Sequence, residues 1–115
     1  MNLNEYQQLA DRTAKHQDMS FDLMHATLGL AGEVGELTDT VKKYLVYNQT
    51  LDQANVYEEL GDILWFVSLA CTTIGFSMQD VATDNIEKLK ARYPDKYSDT
   101  LAKARLDKGE HNETA

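Results

Sequence analysis

Apolar residues recur at steps of three, four or seven along most of this chain, and only Pro94 interrupts a sequence of 115 residues. That spacing is the period of one helix face, whereas a half-buried strand would alternate. The sequence therefore predicts an all-α protein. Leu3, Tyr6, Ala10 and Thr13 mark a first helix, capped by Asn2 or Asn4 and ending near Lys15. From about Ser20 to Tyr47, Leu23, Leu30, Val34, Leu37, Val41 and Tyr44 form a long stripe. A break at Asn48 to Asp52 precedes a third helix, whose stripe of Tyr57, Leu60, Leu64, Val67, Cys71 and Ile74 stops at Gly75. Ser77 and Asp80 have capping-box spacing before a fourth helix, Ala82, Ile86, Leu89 and Tyr93, with Pro94 just beyond. Four narrow-striped helices predict an antiparallel four-helix bundle. The two longest stripes exceed what so small a core needs, so part of each is expected between subunits.

Composition narrows the function. At this length one core is the default. The 19 acidic residues outnumber 11 Lys and Arg, giving a formal charge of −8, which disfavours binding nucleic acid or an anionic membrane by counterion release. No apolar run approaches the ~20 residues a membrane helix needs, and residues 1–10 carry no secretion signal, so a soluble cytoplasmic protein is expected. The sequons at Asn48 and Asn112 then carry no meaning. One cysteine permits no internal disulfide, and Cys71 reads as a core residue.

A five-residue pattern occurs twice: Glu33-Val34-Gly35-Glu36-Leu37 and Glu59-Leu60-Gly61-Asp62-Ile63. Acids three apart on a helix lie roughly 60° from each other, so each pair shares a face. Both pairs sit at the same offset from their stripes, and packing the two helices together gathers four carboxylates. Gly35 and Gly61 each cost on the order of 1 kcal/mol against alanine in a helix interior, which suggests close helix approach there. Solvated acidic faces are the ordinary explanation of such charges. Against it, Glu33 and Glu36 have no Lys or Arg three or four residues away, and residues 44 to 87 hold seven acids without a single Lys or Arg. Hard carboxylate oxygens in such numbers suit Mg²⁺ or Mn²⁺. Three- and four-residue spacings leave both Glu58 and Glu59 as partners of Asp62, and the repeat favours Glu59. A ferritin-like di-iron site needs Glu-x-x-His on two helices, and none is present. His25 shares the acid-bearing side of its helix with Gly29, Glu36 and Lys43, where packing or a substrate contact suits it better than metal ligation. Asn85, Lys88 and Arg92 follow at steps of three and four and are positioned either to meet phosphates or to form a solvated basic helix end.

These residues resemble a known pattern. Gly-Leu-Ala-Gly-Glu-Val-Gly-Glu-Leu, then 22 residues between Glu36 and Glu59, Glu-Glu-Leu-Gly-Asp-Ile-Leu-Trp, and Asn-Ile-Glu-Lys-Leu-Lys-Ala-Arg-Tyr-Pro are similar to the MazG-like all-α nucleoside triphosphate pyrophosphohydrolases, especially the compact phage forms. The resemblance covers residues 5 to 94. It implies a catalytic helical domain over residues 1–95; residues 96–115 begin with weak helical character and end polar with no stripe, so a partly mobile extension is expected. It implies Mg²⁺, or Mn²⁺ in its place, as two or three ions on Glu33, Glu36, Glu59 and Asp62. Nucleotide contacts at Asn85, Lys88, Arg92 or Tyr93, and homodimers or homotetramers, follow from the same likeness. The expected reaction is hydrolysis of a (d)NTP between the α and β phosphates, with Glu36 as proton acceptor, Lys43 and Lys88 adding positive charge, and His25, Trp65 or Phe66 near the base. For the aromatic residues, core packing is the main expectation. A hydrolase of nucleoside diphosphates or other pyrophosphates, and a non-catalytic helical interaction module, are the competing readings.

Overall fold

Each helix starts where a side chain can satisfy its first amides. In a computed structural model describing residues 1–108, α1 (Leu3–Asp11) is capped by Asn2, whose side chain accepts from the Glu5 N–H at 2.9 Å. Asp18 caps α2 (Met19–Val46) through the Phe21 N–H at 2.8 Å, and Asp52 caps α3 (Gln53–Ile74) through the Asn55 N–H at 3.0 Å. Gly75 ends α3 as expected. Its φ of 90° lies in the left-handed region, and its N–H and that of Phe76 return to the Cys71 carbonyl. Beyond it, α4 (Met78–Arg92) stops two residues before Pro94, and α5 (Asp99–Ala104) and a 3₁₀ turn (Leu106–Lys108) follow. All regular structure among the described residues is helical. The extension thus begins as a helix, while its last residues, Asn112 included, lie outside the described range.

The first helix is shorter than its stripe predicts. The Thr13 N–H and hydroxyl both bond the Ala10 carbonyl, at 3.0 and 2.7 Å, closing a tight turn in place of another helical turn. His16 then stands between Asp11 and Asp22, its Nε2 2.6 Å from one carboxylate and its Nδ1 3.0 Å from the other. Asp22 is 6% exposed and also accepts from the Gln17 N–H at 2.9 Å. Those bonds fix the α1–α2 connection.

The residues fall into two compact units, Met1–Met78 and a second from Gln79 onward. In the first, α2 and α3 run antiparallel, with Thr40 meeting Asn55 at one end and His25 meeting Trp65 and Phe66 at the other. On α3 also lies α1, where Gln7 Nε2 donates to Thr72 Oγ1 and the Phe76 carbonyl, and Trp65 Nε1 donates to Thr13 Oγ1. Ala10, Ala26, Leu69, Cys71 and Met78 are buried, and the thiol is free. In the second unit, Arg92 holds Asp107 through two bonds of 2.8 and 3.1 Å, and Tyr93 lies 5.3 Å from Tyr97 between ring centres. The Asp107 side chain is only 1% exposed, so this pair ties the 3₁₀ turn to the end of α4.

Close approach of α2 to α3 occurs at a different glycine from those expected. Nothing lies within 4 Å of where a Cβ would stand on Gly35 or Gly61. At Gly29 a Cβ would fall 2.2 Å from Phe66 Cε1. The Phe66 ring is held edge-on by Trp65 at 5.0 Å and His25 at 5.7 Å. Only a hydrogen fits beneath that ring at Gly29.

Candidate metal centre

Antiparallel packing brings both acid pairs to one seam. Glu33, Glu59 and Asp62 each offer a carboxylate oxygen, and these oxygens lie within 4.8 Å of one another. Glu59 is 6% exposed, and Glu33 is half-buried. Glu33 Oε2 and Glu59 Oε2 are buried with no hydrogen-bond partner. An orphaned carboxylate oxygen is costly, because burial removes water without supplying a donor.

Electrostatics follow from that geometry. The Glu59 carboxyl is pushed above its ordinary range, first by the proton it would share with Glu33, then by burial and by the charge of Glu33. Glu36 is raised as well, chiefly by the negative charge of Glu59. Glu36 is the exposed member and lines a cavity of about 390 Å³ with Glu59 and Lys43. The four expected acids are thus gathered, three as a tight group and Glu36 beside Glu59. Glu58 is exposed and outside that group. Clustered hard oxygens, two of them buried without donors, fit a divalent cation such as Mg²⁺ or Mn²⁺, which would replace the missing protons.

The remaining expected contacts divide between the two units. Lys43 Nζ pairs with Asp39 Oδ2 at 3.1 Å. His25 joins Phe21, Trp65 and Phe66 in an aromatic cluster, and its Nδ1 is buried without a partner. These four rings pack on one another and are half-buried. Asn85, Lys88, Arg92 and Tyr93 stand on or just after α4 in the second unit, with Asn85 and Lys88 exposed. The Arg92 guanidinium is engaged by Asp107, whose carboxyl it holds below the usual range. Sequence reasoning passed over Thr40 and Asn55, which bond to each other across the α2–α3 seam and line the same cavity. Their signal was spacing: each stands four residues from a site acid, Glu36 or Glu59, on the same helix face.

The sequence model of the MazG nucleotide pyrophosphohydrolase domain matches residues 21–97, a span that holds all four acids. The chain is also similar to the Gene 37 protein of Mycobacterium phage L5, 31% identical over 102 residues that cover 80% of this chain and 89% of the relative. No solved structure matches it significantly. A helical chain with paired acids on two adjacent helices, matched over most of its length, belongs to the MazG nucleotide pyrophosphohydrolase family.

Proposed function

We propose that this protein is a Mg²⁺-dependent hydrolase that cleaves a nucleoside or deoxynucleoside triphosphate between the α and β phosphates, yielding the monophosphate and pyrophosphate. The observation that carries this reading is the group Glu33, Glu59 and Asp62, with its buried, partnerless oxygens. Those three with Glu36 would hold two or three Mg²⁺ ions, or Mn²⁺ in their place. Such ions supply charge neutralisation of the phosphates and a more acidic bound water. The chain's own contribution is placement. Glu59, on rigid α3, fixes one wall of the site, and Glu33 faces it from α2. Glu36 is exposed beside them and has room to accept the proton of the attacking water. Lys43 adds positive charge at the cavity rim, and Asn85, Lys88, Arg92, Tyr93 and His25 are the proposed nucleotide contacts.

A homodimer or homotetramer is part of the same reading. Tyr57 at 84%, Leu28 at 65% and Leu60 at 52% exposure leave apolar surface uncovered on α2 and α3. No single helix among the described residues is long and apolar enough to cross a membrane. The test is chromatographic identification of products from a panel of NTPs, dNTPs and the matching diphosphates with Mg²⁺. Monophosphate and pyrophosphate from at least one triphosphate are expected. Release of orthophosphate from diphosphates alone selects the competing hydrolase, and no turnover of any nucleotide defeats the reading.

A further inference from the structure

The cavity beside the acid cluster has a second end, built by chain features unrelated to the acid motif. Asn48 takes a left-handed φ of 56°, and the Gln49 N–H returns to the Lys43 carbonyl at 3.2 Å. That turn folds Gln49 and Thr50 over the end of α2, where both line the cavity. Because Glu36 and Glu59 line it too, the space is continuous with the acid site.

By simple charge the cavity repels anions, since Glu36, Asp39, Asp52 and Glu59 face one Lys43. Their existing commitments alter that. Asp39 is paired with Lys43, and Asp52 caps α3, where the positive N-terminal end of the helix offsets part of its charge. Glu36 and Glu59 belong to the acid site, where a divalent cation would neutralise them. The rest of the lining is donor-rich. Asn55 Oδ1 is taken by the Thr40 hydroxyl, which leaves the Asn55 NH₂ to donate. Gln49 adds an amide and Thr50 a hydroxyl. Lys43 stands seven residues beyond Glu36, about 10 Å along α2, and lines the same cavity.

Resting on the pyrophosphohydrolase reading, we propose that this cavity holds the terminal diphosphate of the substrate, with Asn55, Gln49 and Thr50 donating to its oxygens. Asn55 and its neighbours are then specificity residues that favour triphosphates over diphosphates, because a diphosphate leaves part of the donor set unused. Pyrophosphate, as product, departs from the same place.

The test is calorimetric titration of the full chain with inorganic pyrophosphate in the presence of Mg²⁺, for the wild type, Asn55→Ala and Gln49→Ala. Gln49 lies in an exposed turn, so its variant stays informative if loss of the Asn55–Thr40 bond prevents folding. Pyrophosphate affinity is expected to fall about tenfold in either variant, the loss of a bond to a charged group, with affinity for a nucleoside monophosphate unchanged. The ratio of kcat/KM for a triphosphate to that for its diphosphate should fall with it. Wild-type pyrophosphate affinity in both variants overturns the assignment, as does a wild type that hydrolyses triphosphates yet binds no pyrophosphate. If the wild type binds pyrophosphate in an Asn55-dependent way but hydrolyses no triphosphate, the cavity stands as a pyrophosphate site and only the hydrolase reading falls.

Discussion

Glu59 concentrates the conflict between stability and chemistry in this chain. Its carboxyl is buried with one oxygen lacking a donor, and its folded-state proton affinity is raised. A carboxyl raised in the folded state weakens folding as pH climbs from its ordinary value through the raised one. In metal-free protein near neutral pH, Glu59→Gln is therefore expected to raise the Tm by several degrees. Mg²⁺ or Mn²⁺ should raise the Tm of the wild type and leave that of the variant unmoved, because only a site that binds the ion gains from it. A metal-free Tm that falls in the variant would contradict the account of Glu59. Gly29 is the other residue on which the structure turns. Gly29→Ala drives a methyl into Phe66 and should cost about 1–3 kcal/mol. Gly35→Ala meets open space and should not destabilise. Thermal melts of the two variants check this pair. Sequence alone pointed to glycines in helix interiors but could not say which one faces a ring, since that depends on the register of α3 against α2.

At the scale of elements, the join between α1 and α2 is set by His16. Its imidazole is raised above the ordinary value of 6.5, chiefly by its bond to Asp22 and then by Asp11. Asp22 is lowered from 3.8, first by the Gln17 N–H and then by His16, with the charge of His25 adding to this. A raised imidazole contributes fully below about 6.5 and is lost as pH rises through its folded value. The lowered carboxyl contributes above about 3.8 and is lost as pH falls through its own. Both act together between about 4 and 6.5. Half-exposure of the ring keeps the effect small. The stability difference between wild type and His16→Gln, from denaturant melts across pH, should be largest in that window and shrink by pH 9; a difference constant with pH would remove the clasp. Element starts and stops were legible where local chemistry decides them, as at Asn2 and Gly75. The early end of α1 was not, because the Thr13 turn onto Ala10 is held by Trp65 of α3 and His16 is held by Asp22 of α2. Nor was the helix after Pro94 fully legible, since the Arg92–Asp107 pair that accompanies it spans 15 residues.

For the whole molecule, the charge of −8 resolves into a site and a surface. The four acids of the seam account for half of it, and their spacing was readable because a helix repeats faithfully enough for two short motifs to predict one cluster. The polar cavity was not readable, because its lining comes from α2, the turn and α3 at once. Apolar surface at Leu28, Tyr57 and Leu60 belongs to this scale also. Sedimentation at micromolar concentration is expected to give a dimer or tetramer, and Leu60→Glu should shift the population toward monomer. A monomeric wild type would leave those side chains unexplained. The central claim is hydrolytic attack at the α-phosphorus by water activated at the acid seam. Turnover of a preferred triphosphate in ¹⁸O-water with Mg²⁺, followed by mass spectrometry, tests it directly: the account predicts one heavy oxygen in the monophosphate and none in the pyrophosphate, while label in the pyrophosphate, or in orthophosphate, would contradict it.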